Sequence, residues 1–144
     1  MATVNPYLNF SGNTEEAFNF YKSVFGTEFL AIMRFKDAPG GDKTPPEVQE
    51  KIMHMALPVG NGVILMATDM IESMGQVLKP GNNFSLALTP GSEEEAQHFF
   101  NGLSAGGTIE APYKKEFWGA YFGMFTDKFG IRWMINYDPN QQPK

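Results

Sequence analysis

Gly12-Asn13-Thr14-Glu15-Glu16-Ala17-Phe18-Asn19-Phe20-Tyr21 and, 79 residues further on, Gly91-Ser92-Glu93-Glu94-Glu95-Ala96-Gln97-His98-Phe99-Phe100 read as two openings of the same helix. Gly, Glu, Glu, Ala and Phe coincide at five of the ten positions, where ordinary usage gives roughly one by chance. A second echo pairs Gly62-Val63-Ile64-Leu65-Met66-Ala67-Thr68 with Gly130-Ile131-Arg132-Trp133-Met134-Ile135-Asn136, two strand-like runs opened by glycine and 68 residues apart. The Pro/Gly/charge-rich insert from Asp37 to Lys51 lies between the echoes of the first half and accounts for the shorter offset. An internally duplicated α+β chain is the economical reading.

Working outward, Ala17, Phe20, Tyr21, Val24 and Phe25 form one apolar stripe, and Ala96, Phe99, Phe100 and Leu103 form its counterpart. Asn13 is placed to cap the first helix with Glu16 reaching back, and Ser92 with Glu95 to do the same for the second. Gly26 and Gly106-Gly107 close the helices. Strands are expected at Thr3 to Phe10, Glu28 to Phe35, Ile52 to Val59 and Val63 to Thr68, then at Phe84 to Thr89, Thr108 to Ala111, Trp118 to Thr126 and Ile131 to Tyr137. Gly60-Asn61-Gly62 is a hairpin signal. Each half thus runs strand, helix, three strands: one domain, 1–144, of a module at about 1–69 and another at about 82–139. The linker 70–81 is expected to hold one helical turn. The insert is too rich in breakers for regular structure and too polar to bury, so it reads as a surface loop or a flap. The tail from Asn140 to Lys144 is expected to fray.

Composition removes several classes of function. The chain of 144 residues can bury a real core. Cysteine is absent, which excludes disulfides, thiolate nucleophiles and Cys-ligated zinc and suits a cytoplasmic protein. Neither a signal peptide nor an apolar run of membrane-spanning length is visible, so no membrane partner is expected. A net charge of -5, with no basic cluster beyond Lys114-Lys115, makes nucleic acid a poor partner. Thirteen Phe, five Tyr, two Trp and nine Met are enough to line a cavity as well as a core.

Two strand-helix-three-strand units with these helix openings resemble the vicinal oxygen chelate superfamily, which includes glyoxalase I, extradiol dioxygenases and the bleomycin and fosfomycin resistance proteins. Pro6-Tyr7-Leu8-Asn9-Phe10, Glu16-Ala17, Phe20-Tyr21, Val24-Phe25-Gly26, Trp118-Gly119 and Asp127-Lys128-Phe129-Gly130-Ile131-Arg132-Trp133 are similar to its PhnB-like branch. The resemblance implies two tandem βαβββ modules that form an incomplete barrel around a cleft, a small-molecule ligand and a homodimer. That branch often carries a ubiquinone-methyltransferase label, but no glycine-rich strand-to-helix turn is present to hold such a cofactor, and none is expected.

In the metalloenzymes of the superfamily, His and Glu from the first and fourth strands of both modules hold a divalent ion. Counting from the helix and strand glycines places Pro6 and Ser85, Met66 and Met134 at those positions. A register slipped by one places Asn5, Phe84, Leu65 and Trp133 there. Neither set suits a hard metal, so no metal is expected. The cleft is instead expected to be lined by Tyr7, His54, Met66, Trp118, Tyr121, Arg132 and Met134. Trp118 and Tyr121 would give a ligand a flat apolar face, or Trp118 and its neighbours would pack on a second subunit. Arg132 shares a strand face with Met134 and would hold an anion bidentately, or else pair with Asp127 or Glu110. Of the two histidines, His98 reads as a surface residue. His54 reads as a satisfied strand histidine or as an acid-base group, the candidate for catalysis. A metal-independent binding protein is the leading reading, and a metal- or His54-dependent lyase, isomerase or oxygenase is the alternative.

Overall fold

A computed structural model describes residues 2–140; of the tail expected to fray, 141–144 lie outside the described residues. The chain divides into two compact units, 1–79 and 80–144. None of the described helices is long and apolar enough to cross a membrane.

The first unit contains β1 (Tyr7–Phe10), α1 (Thr14–Phe25), β2 (Ala31–Arg34), α2 (Pro46–Gln49), β3 (Ile52–Gly60) and β4 (Val63–Asp69). Its sheet runs in the order β1-β4-β3-β2, with β1 parallel to β4 and the other pairs antiparallel. Asn61 (φ 52°) and Gly62 (φ 78°) turn β3 into β4. Two consecutive left-handed residues are what a two-residue hairpin requires. The helix packs on β3 and β4, and Leu8, Phe10, Met55, Leu57, Leu65 and Ala67 are buried on that side. Apart from Ala67, side chains of this size contribute about 1.5–3 kcal/mol each when removed from water. The buried stripe of α1 is Thr14, Ala17, Phe18, Tyr21 and Val24, so Phe18 takes the place expected for Phe20 and Phe25, which are half-buried.

The insert is more ordered than its composition suggests. It forms two 3-10 turns, Phe35–Asp37 and Gly41–Lys43, and the single-turn α2. Val48 is buried, and a Cβ at Gly41 would collide with the carbonyls of Phe35 and Lys36. Pro46 starts α2 at its first turn, where its missing N–H costs nothing.

The second unit contains β5 (Leu86–Leu88), α3 (Glu93–Ser104), β6 (Thr108–Lys115), β7 (Tyr121–Thr126) and β8 (Arg132–Tyr137). Its strand order, β5-β8-β7-β6 with β5 parallel to β8, is the order of the first unit. α3 packs on β6, β7 and β8, burying Ala96, Phe100, Leu103, Phe125, Trp133 and Ile135. Asp127, only 3% exposed, accepts hydrogen bonds from the backbone N–H of Phe129 and Ile131 and from Trp133 Nε1. It thereby ties the β7–β8 turn to the core.

The two helix openings are capped differently. Ser92 Oγ accepts from Glu95 N at 3.1 Å, and Glu95 reaches back to Gly91 N. Asn13 makes no side-chain cap. Asp69, at the end of β4 and 2% exposed, accepts instead from Thr14 N (2.9 Å) and Ile52 N (2.8 Å). A carboxylate at a helix N-terminus is favoured by the dipole as well as by the hydrogen bond.

Candidate functional site

In each unit the helix covers one side of its sheet, and strand alternation sorts the candidate residues between that side and the helix-free side. In the first unit Tyr7 pairs with Met66 and Ala56 with Met66. These residues, with His54 two positions before Ala56 and Met33 paired to His54, belong to the helix-free side. The Tyr7 hydroxyl lies 3.4 Å from His54 Nδ1, and the two rings are 5.8 Å apart, centroid to centroid. Tyr7 is 48% and Met33 40% exposed. The set is therefore an aromatic and thioether surface with one imidazole, and it brings together Tyr7, His54 and Met66 of the sequence reading.

In the second unit Met134 pairs with Met124 and Arg132 with Thr126 on the helix-free side. Arg132 Nη2 donates to Glu110 Oε2 at 2.9 Å, and Thr126 Oγ1 donates to Glu110 Oε1 at 2.7 Å. Of the open alternatives for Arg132, the structure shows the pairing with Glu110. The Arg132 side chain is 19% exposed, and its Nε is buried with no acceptor among the described residues. An unsatisfied buried donor costs roughly 1–3 kcal/mol, so an acceptor at that atom would be stabilising.

Tyr121 is placed elsewhere. It pairs with Tyr137 and alternates with Gly123 and Phe125, which face α3. Its ring stacks on Tyr113 at 5.8 Å, and Tyr113 in turn meets Phe100 of α3. Tyr121 is thus on the side opposite Arg132 and Met134. Burial pushes the Tyr113 hydroxyl up to about 12, with Glu93, Tyr121 and Tyr137 adding to the effect. Trp118 lies in the β6–β7 turn, 55% exposed, edge-on to Phe117, which is 96% exposed. His98 is exposed on α3.

The pairing also corrects the strand register used to place metal ligands. The first-strand residues opposite the two methionines are Tyr7 and Ala87, not Pro6 and Ser85. Tyr7 stands five residues before Gly12 but Ala87 only four before Gly91, so one count back from the glycine cannot serve both units. A phenol, a methyl group and two thioethers do not fit a hard divalent ion. Nor do the residues after β1 fit a methyl-donor cofactor: the N–H of Thr14, which opens α1, is already taken by Asp69.

A family model described as 3-demethylubiquinone-9 3-methyltransferase matches residues 2–136. Protein YjdN of Escherichia coli K12 is 32% identical, over 97% of each chain. The crystal structure of PA1353 from Pseudomonas aeruginosa is 38% identical, with a TM-score of 0.83 over 96% of this chain and 98% of that one. The PhnB protein of Bacillus cereus is 28% identical, with a TM-score of 0.76 over 94% and 99%. A glyoxalase/bleomycin resistance protein/dioxygenase family enzyme from Burkholderia phytofirmans, at 17% identity and TM-score 0.60 over 93% and 98%, shares the fold alone. The chain belongs to the matched family, in the PhnB-like branch of the vicinal oxygen chelate superfamily.

Proposed function

We infer that the chain binds a small organic molecule on its helix-free sheet faces without the help of a divalent metal, as a homodimer in the cytoplasm. One observation carries this reading: apolar, adaptable side chains on those faces surround a few polar groups, Tyr7 with His54 in one unit and Arg132 in the other. Ligand sites are built that way, with apolar walls for affinity and sparse polar groups for orientation. The thioethers of Met66 and Met134 adapt to varied shapes. The exposed Phe117–Trp118 turn is the surface we assign to the second copy.

A second reading, a His54-dependent lyase or isomerase, draws on the Tyr7–His54 contact. If the phenol donates to Nδ1, neutral His54 carries its proton on Nε2 and acts as a donor. If Nδ1–H donates to the phenol oxygen, Nε2 is left as a base. Imidazole 15N shifts distinguish the two tautomers. Chelation followed by back-loading with Ni, Zn, Mn or Fe tests the reading as a whole. Ligand retention unchanged by either step is the expected result; a stoichiometric ion that restores turnover would contradict it.

A further inference from the structure

The geometry points to a ligand class for the second unit's face: a neutral ring compound bearing a carbonyl oxygen, selected over the corresponding carboxylate by Arg132 and Glu110 acting together. This rests on the small-molecule reading above and goes one step beyond it.

An arginine on an apolar face ordinarily suggests an anion. Here the cation is already neutralised. Glu110 accepts from Arg132 Nη2 through one oxygen and from the Thr126 hydroxyl through the other. Both partners are partly withdrawn from water, at 19% and 36% side-chain exposure. A ligand carboxylate brought to Arg132 Nε would stand beside the fixed Glu110 carboxylate where screening is weakened, and like charges would repel it. A ketone or amide oxygen supplies the acceptor that Nε lacks and brings no charge. Met124 and Met134, paired across β7 and β8 on the same face, offer polarisable sulfur to an aromatic ring. Nε is closed off in the free chain, so uptake requires a side chain to swing.

Acetophenone and benzoate, matched in size, test this by 1H–15N titration of the full chain. Arg34 and Arg132 are the only arginines, so the spectrum holds two Nε–H signals, and that of Arg34 is an internal control in the other unit. Acetophenone is expected to shift the Arg132 Nε–H signal and the methyls of Met124 and Met134 saturably, leaving Arg34 unmoved. Benzoate is expected to bind at least tenfold more weakly. Glu110→Gln, which keeps an acceptor for Arg132 but removes the charge, is expected to close that gap. Benzoate binding as well as acetophenone, or a ratio unchanged in Glu110→Gln, overturns the selectivity and leaves small-molecule binding standing. If neither probe shifts Arg132, the ligand class assigned to this face falls. The wild-type ratio decides the point even if the variant does not fold.

Discussion

Beneath α1, Met55 stands opposite Ala67; beneath α3, Gly123 stands opposite Ile135. The large and small partners have changed strands, and the Phe100 ring occupies the room above Gly123. The helix-free sides differ in another way. Met66 and Met134 correspond, but Ile64 stands where the second unit has Arg132, and Phe122 where the first has His54. On the covered side, packing limits the exchange to swaps that conserve volume. On the other side polar groups come and go, and chemistry is the better explanation of what is kept there.

The helix caps offer the sharpest way to break the comparison, because one is tertiary and the other local. Asp69→Ala removes the acceptor of two buried backbone N–H groups and is expected to cost about 2–5 kcal/mol in urea unfolding. Asp69→Asn, which keeps one acceptor, should cost about half as much. Gly123→Ala comes next. Its Cβ would lie 2.6 Å from the Phe100 ring and 3.0 Å from Tyr113 Cα, an overpacking expected to cost about 1–3 kcal/mol. A neutral result would mean that the exchange of volume between the units is not enforced. Ser92→Ala removes only a local cap and should cost about 1 kcal/mol. Were it to equal Asp69→Ala, the distinction between the two caps would fail.

A further expected effect is one of pH. Tyr113 in the folded chain ionises near 12 instead of its usual value of 10. Above about pH 10 the unfolded chain releases a proton that the folded chain retains, so stability should fall as pH rises from 10 towards 12. Tyr113→Phe should flatten that decline and remove one late phase of an ultraviolet tyrosine titration. An unchanged titration would contradict the raised ionisation of Tyr113.

What could be read from sequence was local. The helix openings, the Asn61-Gly62 hairpin and the alternation that puts Met66 and Met134 on matching faces depend on near neighbours, and they appear as expected. The cap on α1 did not, because Asp69 is distant in sequence and lies at the end of a strand, where nothing marks it as a helix cap. The metal-position register is off by one residue in the first unit and by two in the second, because a count from the helix glycine crosses a connection whose length differs between the units. The family resemblance puts Tyr121 at the border of a cleft. Its parity with Gly123 and Phe125 already put it on the opposite side from Met134, and counting β7 from Phe125 would have shown this. The insert hid an apolar anchor, since one valine among prolines, glycines and charges gives no periodic signal.

Native mass spectrometry of the gently purified full chain, before and after chelation, tests small-molecule binding without a metal most directly. The expected result is a non-covalent organic adduct that survives chelation and is lost when His54 and Arg132 are both replaced by Gln. A chain that carries only a divalent ion, or an organic adduct that leaves with that ion, would contradict the account.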